Sequence, residues 1–122
     1  WHAFEDMIGG EIYVKKIPSM KLTDIARVVA PEAEHKIVGI RAGEKLHEQM
    51  VGLEDAPYTY EYDEHFKILP MINGWNTSKE RVKHGRKVPD DFVYASNLND
   101  EWMAPKFLSD WIEENFCQIG LL

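Results

Sequence analysis

Cysteine is almost absent from this chain of 122 residues, because Cys117 is the only one. A single thiol forms neither an intrachain disulfide framework nor a cysteine-based metal site. We therefore expect a reducing, cytoplasmic environment. Long apolar runs are also missing, and no stretch approaches the roughly 18 residues that a membrane-spanning helix needs. We accordingly expect no membrane partner.

Basic charge is in deficit. The chain has 14 Lys and Arg against 21 Asp and Glu, a net charge of -7 and a pI near 5.2. Because binding to a phosphate backbone requires a basic surface, this balance argues against a nucleic-acid partner. One local exception is the basic stretch 79–87, which we interpret as a solvated loop in preference to a phosphate or partner contact.

Familiar catalytic and cofactor motifs are missing as well. The chain has no Gly-x-Gly-x-x-Gly turn, no Walker loop, no Gly-x-Ser-x-Gly elbow and no Tyr-x-x-x-Lys pair. Val51 stands four residues after His47, where a zinc-binding helix would have its second histidine. We therefore predict no catalytic residue and no metal site here. Since the first residue is Trp1, we expect a piece of a longer polypeptide whose other part holds the chemistry.

Periodicity in the first forty residues predicts a strand, a helix and a second strand. Charged residues alternate with β-branched and aromatic ones at 11–16, which is typical of a strand. A short helix that ends before Pro31 is predicted from four apolar residues at helical spacing: Leu22, Ile25, Ala26 and Val29. The run Lys36–Ile40 predicts the second strand, with Arg41 at its end. This order is typical of an α/β unit.

The rest of the chain predicts strands followed by a terminal helix. Residues 58–62 and 65–69 are read as one or two strands, and 73–89 as a long irregular excursion. Residues 44–51 fit either a helical turn or an extended segment. Pro105 favours a helix start. Its expected core face, with Trp102 just ahead of it, comprises Phe107, Leu108, Trp111 and Ile112.

Arg41 and Glu44 are the strongest candidates for a binding site. A guanidinium offers five donors in a fixed fork that suits phosphate oxygens, and an ionised carboxylate can accept from two vicinal hydroxyls. Gly43 between them allows a close turn. The combination indicates a nucleotide-sugar pocket, although an Arg-x-x-Glu spacing also fits a simple surface ion pair.

A polar turn at 96–99 is a weaker candidate. It contains Ser96, Asn97 and Asn99, just ahead of Trp102. The amide of Asn99 could donate to a ligand, while a plain turn is the alternative reading.

Three sequence blocks carry a family resemblance. They are 10–20 (GEIYVKKIPSM), 37–48 (IVGIRAGEKLHE) and 91–96 (DFVYAS), the last followed by Asn99 and Trp102. At these residues the chain resembles the C-terminal region of the inverting UDP-N-acetylglucosamine 4,6-dehydratases. These are extended short-chain dehydrogenase/reductases of bacterial amino-sugar and polysaccharide biosynthesis. The resemblance is thin at 51–89.

The resemblance implies a fold and a division of labour. Residues 1–122 would form an α/β substrate-binding portion with short mixed strands and helices, and the NADP-binding Rossmann domain would be absent from this chain. The family's catalytic Tyr, Lys and Asp have no counterpart here. Arg41 would hold the diphosphate, Glu44 would lie at the ribose, and Asn99 would make a polar substrate contact.

The implied activity is that of a lyase. The parent enzyme would oxidise C4 of the UDP-sugar, eliminate water across C5 and C6, and return hydride to C6 with inversion at C5. The product would be a UDP-4-keto-6-deoxy sugar, a precursor of pseudaminic-acid-type sugars. We expect the parent to be a homo-oligomer and this chain alone to be inactive. The alternatives are a related UDP-amino-sugar epimerase or 4-reductase, and a non-catalytic binding or oligomerisation module.

Overall fold

The computed structural model describes residues 2–119, which form a mixed α/β fold. The helices are α1 (His2–Asp6), α2 (Leu22–Val29), α3 (Lys79–Val82) and α4 (Pro105–Ile119). The strands are β1 (Ile12–Lys15), β2 (Gln49–Val51), β3 (Thr59–Glu61), β4 (His65–Ile68), β5 (Arg86–Lys87) and β6 (Tyr94–Ala95). No helix within this described part is long and apolar enough to cross a bilayer.

The larger sheet is antiparallel throughout, in the order β1-β4-β3-β5. β3 and β4 form a hairpin, and β1 pairs with the other edge of β4 so that Val14 lies opposite Phe66. Side chains alternate between the two faces of a strand, so Val14, Phe66 and Ile68 contribute to one apolar layer. The core cluster is Val14, Val51, Ala56, Phe66, Ile68 and Val88, with Tyr58, Phe92 and Tyr94 packed against it.

A second, two-stranded ribbon pairs β2 with β6. Gln49 lies opposite Ala95 and Val51 opposite Tyr94, so the register shifts by one residue at Met50, as in a β-bulge. Val51 is fully buried, and the Tyr94 ring packs on Phe66 with centroids 5.0 Å apart. These contacts join the ribbon to the core and fix its position relative to the larger sheet.

A buried ionic network ties the amino-terminal residues to the sheet. Arg81 forms an ion pair with Glu11 and donates to the Gly9 carbonyl over 2.7 Å. Lys67, which is 1% exposed, forms an ion pair with Asp6 and donates to the Arg81 carbonyl over 3.0 Å. These bonds join α1, β4 and α3 to one another.

The same network changes the acidity of its members. Burial alone would raise the pKa of Asp6, but hydrogen bonds from Lys67, Lys83 and Tyr13 lower that pKa well below its usual range. For Glu11, burial is likewise outweighed by backbone N–H donors and by Arg81, and its pKa falls. Both carboxylates are therefore held in the charged form.

The basic stretch 79–87 is not the solvated loop that the sequence predicted. It contains α3 and β5, and Arg81 is buried at 6% exposure. Arg86 forms an ion pair with Glu61, and Lys87 with Asp90. Within the predicted irregular excursion at 73–89, Arg81 and Arg86 therefore pair with carboxylates that are distant in sequence.

The strand predicted at Lys36–Ile40 is wrong. Residues 31–48 contain no helix or strand, and every residue from 31 to 50 is exposed, including Ile37 at 90%. The predicted α/β unit therefore lacks its second strand, and the sheets are antiparallel. Within 44–51 the extended alternative is correct for Gln49–Val51, which form β2.

Both predicted helices, α2 and α4, are present, but their apolar faces are more exposed than expected. α2 packs against α4 and has no buried residue. Phe107 and Trp111 on α4 are 61% and 48% exposed, and Trp102 is 52% exposed. The prediction that these aromatic residues anchor a core is therefore wrong for this chain.

Candidate functional site

A groove of about 200 Å³ lies where the ribbon meets the segment after β1. One wall is the turn Ile17–Met20, and the other is formed by Glu48 and Met50 with residues of β6 and after. The lining residues are Ile17, Pro18, Ser19, Met20, Glu48, Met50, Tyr94, Ala95, Ser96 and Asn99. The lining is mainly apolar, with hydroxyl, amide and carboxylate groups of Ser19, Ser96, Asn99 and Glu48 among it.

Hydrogen bonds across the groove region join distant parts of the chain. Ser19 N–H donates to the Glu101 carbonyl, and Met103 N–H donates to the Ser19 carbonyl, both over 2.8 Å. Ser96 and Glu48 are joined twice, by Ser96 N–H to the Glu48 carbonyl (2.8 Å) and by Glu48 N–H to Ser96 Oγ (3.1 Å). Residues of the first and third resemblance blocks, and Glu48 at the end of the second, therefore line this groove.

Asn99 lies in the groove lining, as a substrate-binding candidate should. Its Nδ2 donates to the Ile17 carbonyl (2.8 Å) and to Ser19 Oγ (3.2 Å). Its Oδ1 accepts from Glu101 N–H over 3.2 Å. The amide therefore bonds to the protein itself, and a direct substrate contact remains a prediction.

Arg41 and Glu44 form a tight exposed turn outside that lining. Glu44 N–H donates to the Arg41 carbonyl over 3.1 Å, and Glu44 Oε2 accepts from Arg41 N–H over 2.9 Å. Gly43 has a φ of +88°, a left-handed conformation that an L-side chain adopts only with strain. A Cβ at Gly43 would meet nothing within 4 Å, so backbone conformation rather than space favours glycine there.

The Arg41 side chain is available to a ligand. It is 84% exposed, and its Nε lies 3.9 Å from Glu44 Oε1. An exposed pair at that distance contributes little stability and gives way easily to a stronger anion. The surface-ion-pair alternative thus describes the chain as it stands, and the binding role remains a prediction.

Sequence reasoning missed the part that Tyr94 plays in the groove. Its hydroxyl accepts from Ile17 N–H over 2.9 Å and donates to the Ile17 carbonyl over 3.0 Å. Tyr94 lies in the third resemblance block, and Ile17 and Ser19 lie in the first. Their presence in resemblance blocks was the available signal. The bond between Tyr94 and Ile17 joins residues 77 positions apart, so no local sequence pattern predicts it.

The described residues thus form a mainly apolar groove with a few polar side chains, and sequence comparison gives the family of the chain. The family described as "Polysaccharide biosynthesis protein" matches residues 1–70, more than half of the chain. The chain therefore belongs to the polysaccharide biosynthesis protein family. The matched residues include β1, the Ile17–Met20 turn, Arg41 and Glu44.

The chain is also similar to individual curated proteins. Two proteins from two strains of Campylobacter jejuni are described as UDP-N-acetylglucosamine 4,6-dehydratase (inverting). One is 45% identical over 114 residues and the other 46% identical over 115 residues. In each case the match covers 89% of this chain and 34% of the relative. The chain thus spans about a third of the length of these relatives.

A solved structure shares the fold. The X-ray structure of Pen from Bacillus thuringiensis superposes with a TM-score of 0.69 at 19% sequence identity. The match covers 93% of this chain and 33% of that protein. The arrangement of helices and short antiparallel sheets is therefore one that also occurs as part of a longer polypeptide.

Proposed function

We propose that this chain is the substrate-binding portion of an NADP-dependent, C5-inverting UDP-N-acetylglucosamine 4,6-dehydratase. The parent enzyme is a cytoplasmic lyase of bacterial amino-sugar and polysaccharide biosynthesis and an extended short-chain dehydrogenase/reductase. It binds NADP in a Rossmann domain outside these 122 residues, and it works as a homo-oligomer. Its product is a UDP-4-keto-6-deoxy sugar that leads to pseudaminic-acid-type sugars.

One observation carries this proposal. A chain 45% identical to proteins named as inverting UDP-N-acetylglucosamine 4,6-dehydratases lines one groove with residues of the blocks 10–20 and 91–96, together with Glu48 of the block 37–48. Ligand sites are concave and mainly apolar with a small number of polar groups, as the lining of this groove is. This lining therefore supports a substrate site, and the names of the relatives make UDP-N-acetylglucosamine its proposed substrate.

Arg41 and Glu44 are proposed to hold the nucleotide. The guanidinium of Arg41, exposed and weakly paired, can exchange the Glu44 carboxylate for a diphosphate, which carries more charge and permits bidentate hydrogen bonds. Glu44 stays close to the Arg41 main chain, where its second oxygen can accept from ribose hydroxyls. Asn99 is proposed as a substrate-site residue at the groove.

The contribution of this portion is orientation rather than proton transfer. Binding energy from the diphosphate and the ribose is remote from the reacting carbons, and it can hold the hexose against the nicotinamide. The NADP supplies hydride transfer when it is bound. The chain's own residues would fix the position of the sugar nucleotide.

Replacement of Arg41 tests the proposal in the full-length protein. We expect Arg41→Ala to raise the KM for UDP-N-acetylglucosamine about tenfold to hundredfold, since a charge-assisted contact is lost. NADP affinity should stay nearly unchanged. Initial rates of 4-keto product formation and a separate NADP titration measure the two effects.

Arg27→Ala is the matched control. Arg27 is also exposed and also forms an i,i+3 ion pair, with Asp24 at 3.3 Å, but it lies on α2. Its replacement should leave the KM unchanged. Equal KM values for Arg41→Ala and the parent would remove Arg41 from the site, and a full-length protein that forms no 4-keto product from UDP-N-acetylglucosamine would refute the activity. Turnover by the 122-residue chain alone would contradict the proposed division of labour.

A further inference from the structure

The Ile17–Met20 turn has a conformation that another part of the chain imposes. Ile17 N–H and carbonyl both bond to Tyr94, and Ser19 N–H and carbonyl bond to Glu101 and Met103. Pro18 has no N–H to contribute. Ile17 and Pro18 are exposed, so apolar packing does little to fix them. Hydrogen bonds from 94–103 therefore determine this wall of the groove.

Tyr94 reaches both walls at once. Its backbone lies in β6 opposite Val51, and its ring packs on Phe66 with centroids 5.0 Å apart. Its hydroxyl meets the main chain of Ile17 on the opposite wall, with bonds of 2.9 and 3.0 Å. Because the backbone and ring are held by the core, the reach of this side chain sets the distance of the turn from β6.

Asn99 reinforces the same contact. Its two amide hydrogens go to the Ile17 carbonyl (2.8 Å) and to Ser19 Oγ (3.2 Å). Asn99 is itself held by Glu101 N–H at its Oδ1 and by Trp102 Nε1–H at its carbonyl (2.8 Å). The Ile17 carbonyl thus accepts from Tyr94 and Asn99 together, and both of its lone pairs are used.

We propose that Tyr94 and Asn99 are positioning residues that hold the Ile17–Met20 turn as one wall of the substrate groove. This inference rests on the proposed function and refines it for Asn99, which acts on the sugar nucleotide through the turn. Removing either side chain frees the Ile17 carbonyl from one donor and lets the wall move. The groove then binds its ligand less well, while the chemistry, located elsewhere, is unaffected.

Kinetics of the full-length protein test the inference. Tyr94→Phe and Asn99→Ala should each raise the KM for UDP-N-acetylglucosamine about fivefold to tenfold, the effect of losing one or two hydrogen bonds. The kcat should stay within about twofold. Because both variants release the same wall, the double variant should raise KM far less than the product of the two single effects.

Two matched variants serve as controls. Tyr60→Phe also removes a phenol hydroxyl. That hydroxyl donates to the Asn76 carbonyl over 3.2 Å, and Tyr60 is not part of the groove lining. Asn115→Ala also removes an amide that donates to a main-chain carbonyl, that of Trp111 over 2.8 Å, and Asn115 lies on α4 outside the groove lining. Neither should change KM. Single effects that multiply in the double variant, or a fall in kcat with KM unchanged, would overturn the inference.

Hydrogen–deuterium exchange provides a readout that does not depend on activity. In both groove variants the peptide that covers 12–21 should exchange faster, while the peptide that covers β4 stays protected. Unchanged exchange at 12–21 would overturn the inference. If the parent protein formed no 4-keto product, the proposed function would fail, and exchange would still decide whether these side chains hold the turn.

Discussion

Arg81 shows how much one residue can depend on partners that are distant in sequence. It lies on the four-residue helix α3, yet it reaches the Glu11 carboxylate and the Gly9 carbonyl, and its guanidinium carbon lies 4.2 Å from the Trp75 ring centroid. The partners Glu11 and Arg81 are 7% exposed or less at their side chains. Since both charges have little access to water, each depends on the other for compensation.

Arg81→Ala should therefore destabilise the chain strongly. Removing one member of a buried ion pair leaves the other charge uncompensated, which costs about 3–5 kcal/mol. Urea denaturation followed by circular dichroism measures the loss. Arg86→Ala is the control, because Arg86 also pairs with a glutamate but is 80% exposed at its side chain. Comparable shifts in the urea midpoint for the two variants would contradict the structural role given to Arg81.

Single-residue roles were predictable where the interaction is local. The Arg41–Glu44 pair was an explicit alternative from its spacing, because residues three apart meet in a turn. Burial of Arg81 was not predictable, since nothing near it in sequence indicates that Glu11 will lie beside it. Its neighbours Lys79, Lys83 and Arg86 gave the whole stretch the composition of a solvated loop.

At the scale of elements, the segment 31–48 differs most from expectation. The run 36–40 has the composition of a strand, but a strand forms only where a neighbour supplies hydrogen bonds to its edge. Helices α2 and α4 were predicted correctly because their signals, helical spacing and Pro105 at the first position, are contained within the element. Strand prediction depended on pairing that the sequence does not reveal.

Amide exchange of the 122-residue chain should reflect this difference. We expect the amides at 36–40 to be among the fastest to exchange, because the segment is exposed and lies outside the sheets. Amides of β4, paired on both sides, should be among the slowest. Residue-resolved NMR exchange gives both rates in one sample, and protection at 36–40 equal to that of β4 would show that a strand exists there.

For the whole molecule, the charge network makes the free energy of unfolding depend on pH. The pKa values of Asp6 and Glu11 are lowered in the folded state by the contacts described above, and hydrogen bonds from Lys16 and Arg86 lower that of Glu61. In the unfolded chain, such carboxyls take up protons near pH 4. The stabilisation is therefore fully present above about pH 5 and is lost as pH falls through 4 towards the lowered folded values.

We accordingly expect the urea midpoint to be level between pH 7 and about 5 and to fall steadily below pH 4. Asp6→Asn should begin from a lower midpoint at pH 7 and lose less between pH 5 and 2, since one of the linked carboxyls is gone. Denaturation series at matched ionic strength measure both slopes. A midpoint that rises on acidification would show that these carboxylates do not stabilise the fold.

The groove was predictable only in outline at this scale. Residues of the blocks 10–20 and 91–96, with Glu48 of 37–48, line the groove, but their convergence depends on the pairing of β2 with β6 and on bonds from 94–103 to the Ile17–Met20 turn. The β3–β4 hairpin and α3, which fill the stretch with the thinnest resemblance, lie between these blocks in sequence. Long-range pairing of that kind has no signature in composition or periodicity.

The placement of Lys67 limits how far this polypeptide can be shortened. Its ammonium group is enclosed by the rings of Tyr13 and Tyr62, at 5.2 and 4.9 Å from their centroids, and Asp6 is its anionic partner. Removing the first six residues would leave the buried Lys67 ammonium without its anionic partner. It would also remove the acceptor of the Tyr13 phenol, which donates to Asp6 over 2.7 Å. Expression boundaries for this protein therefore have to keep Asp6, even where a design aims only at the groove.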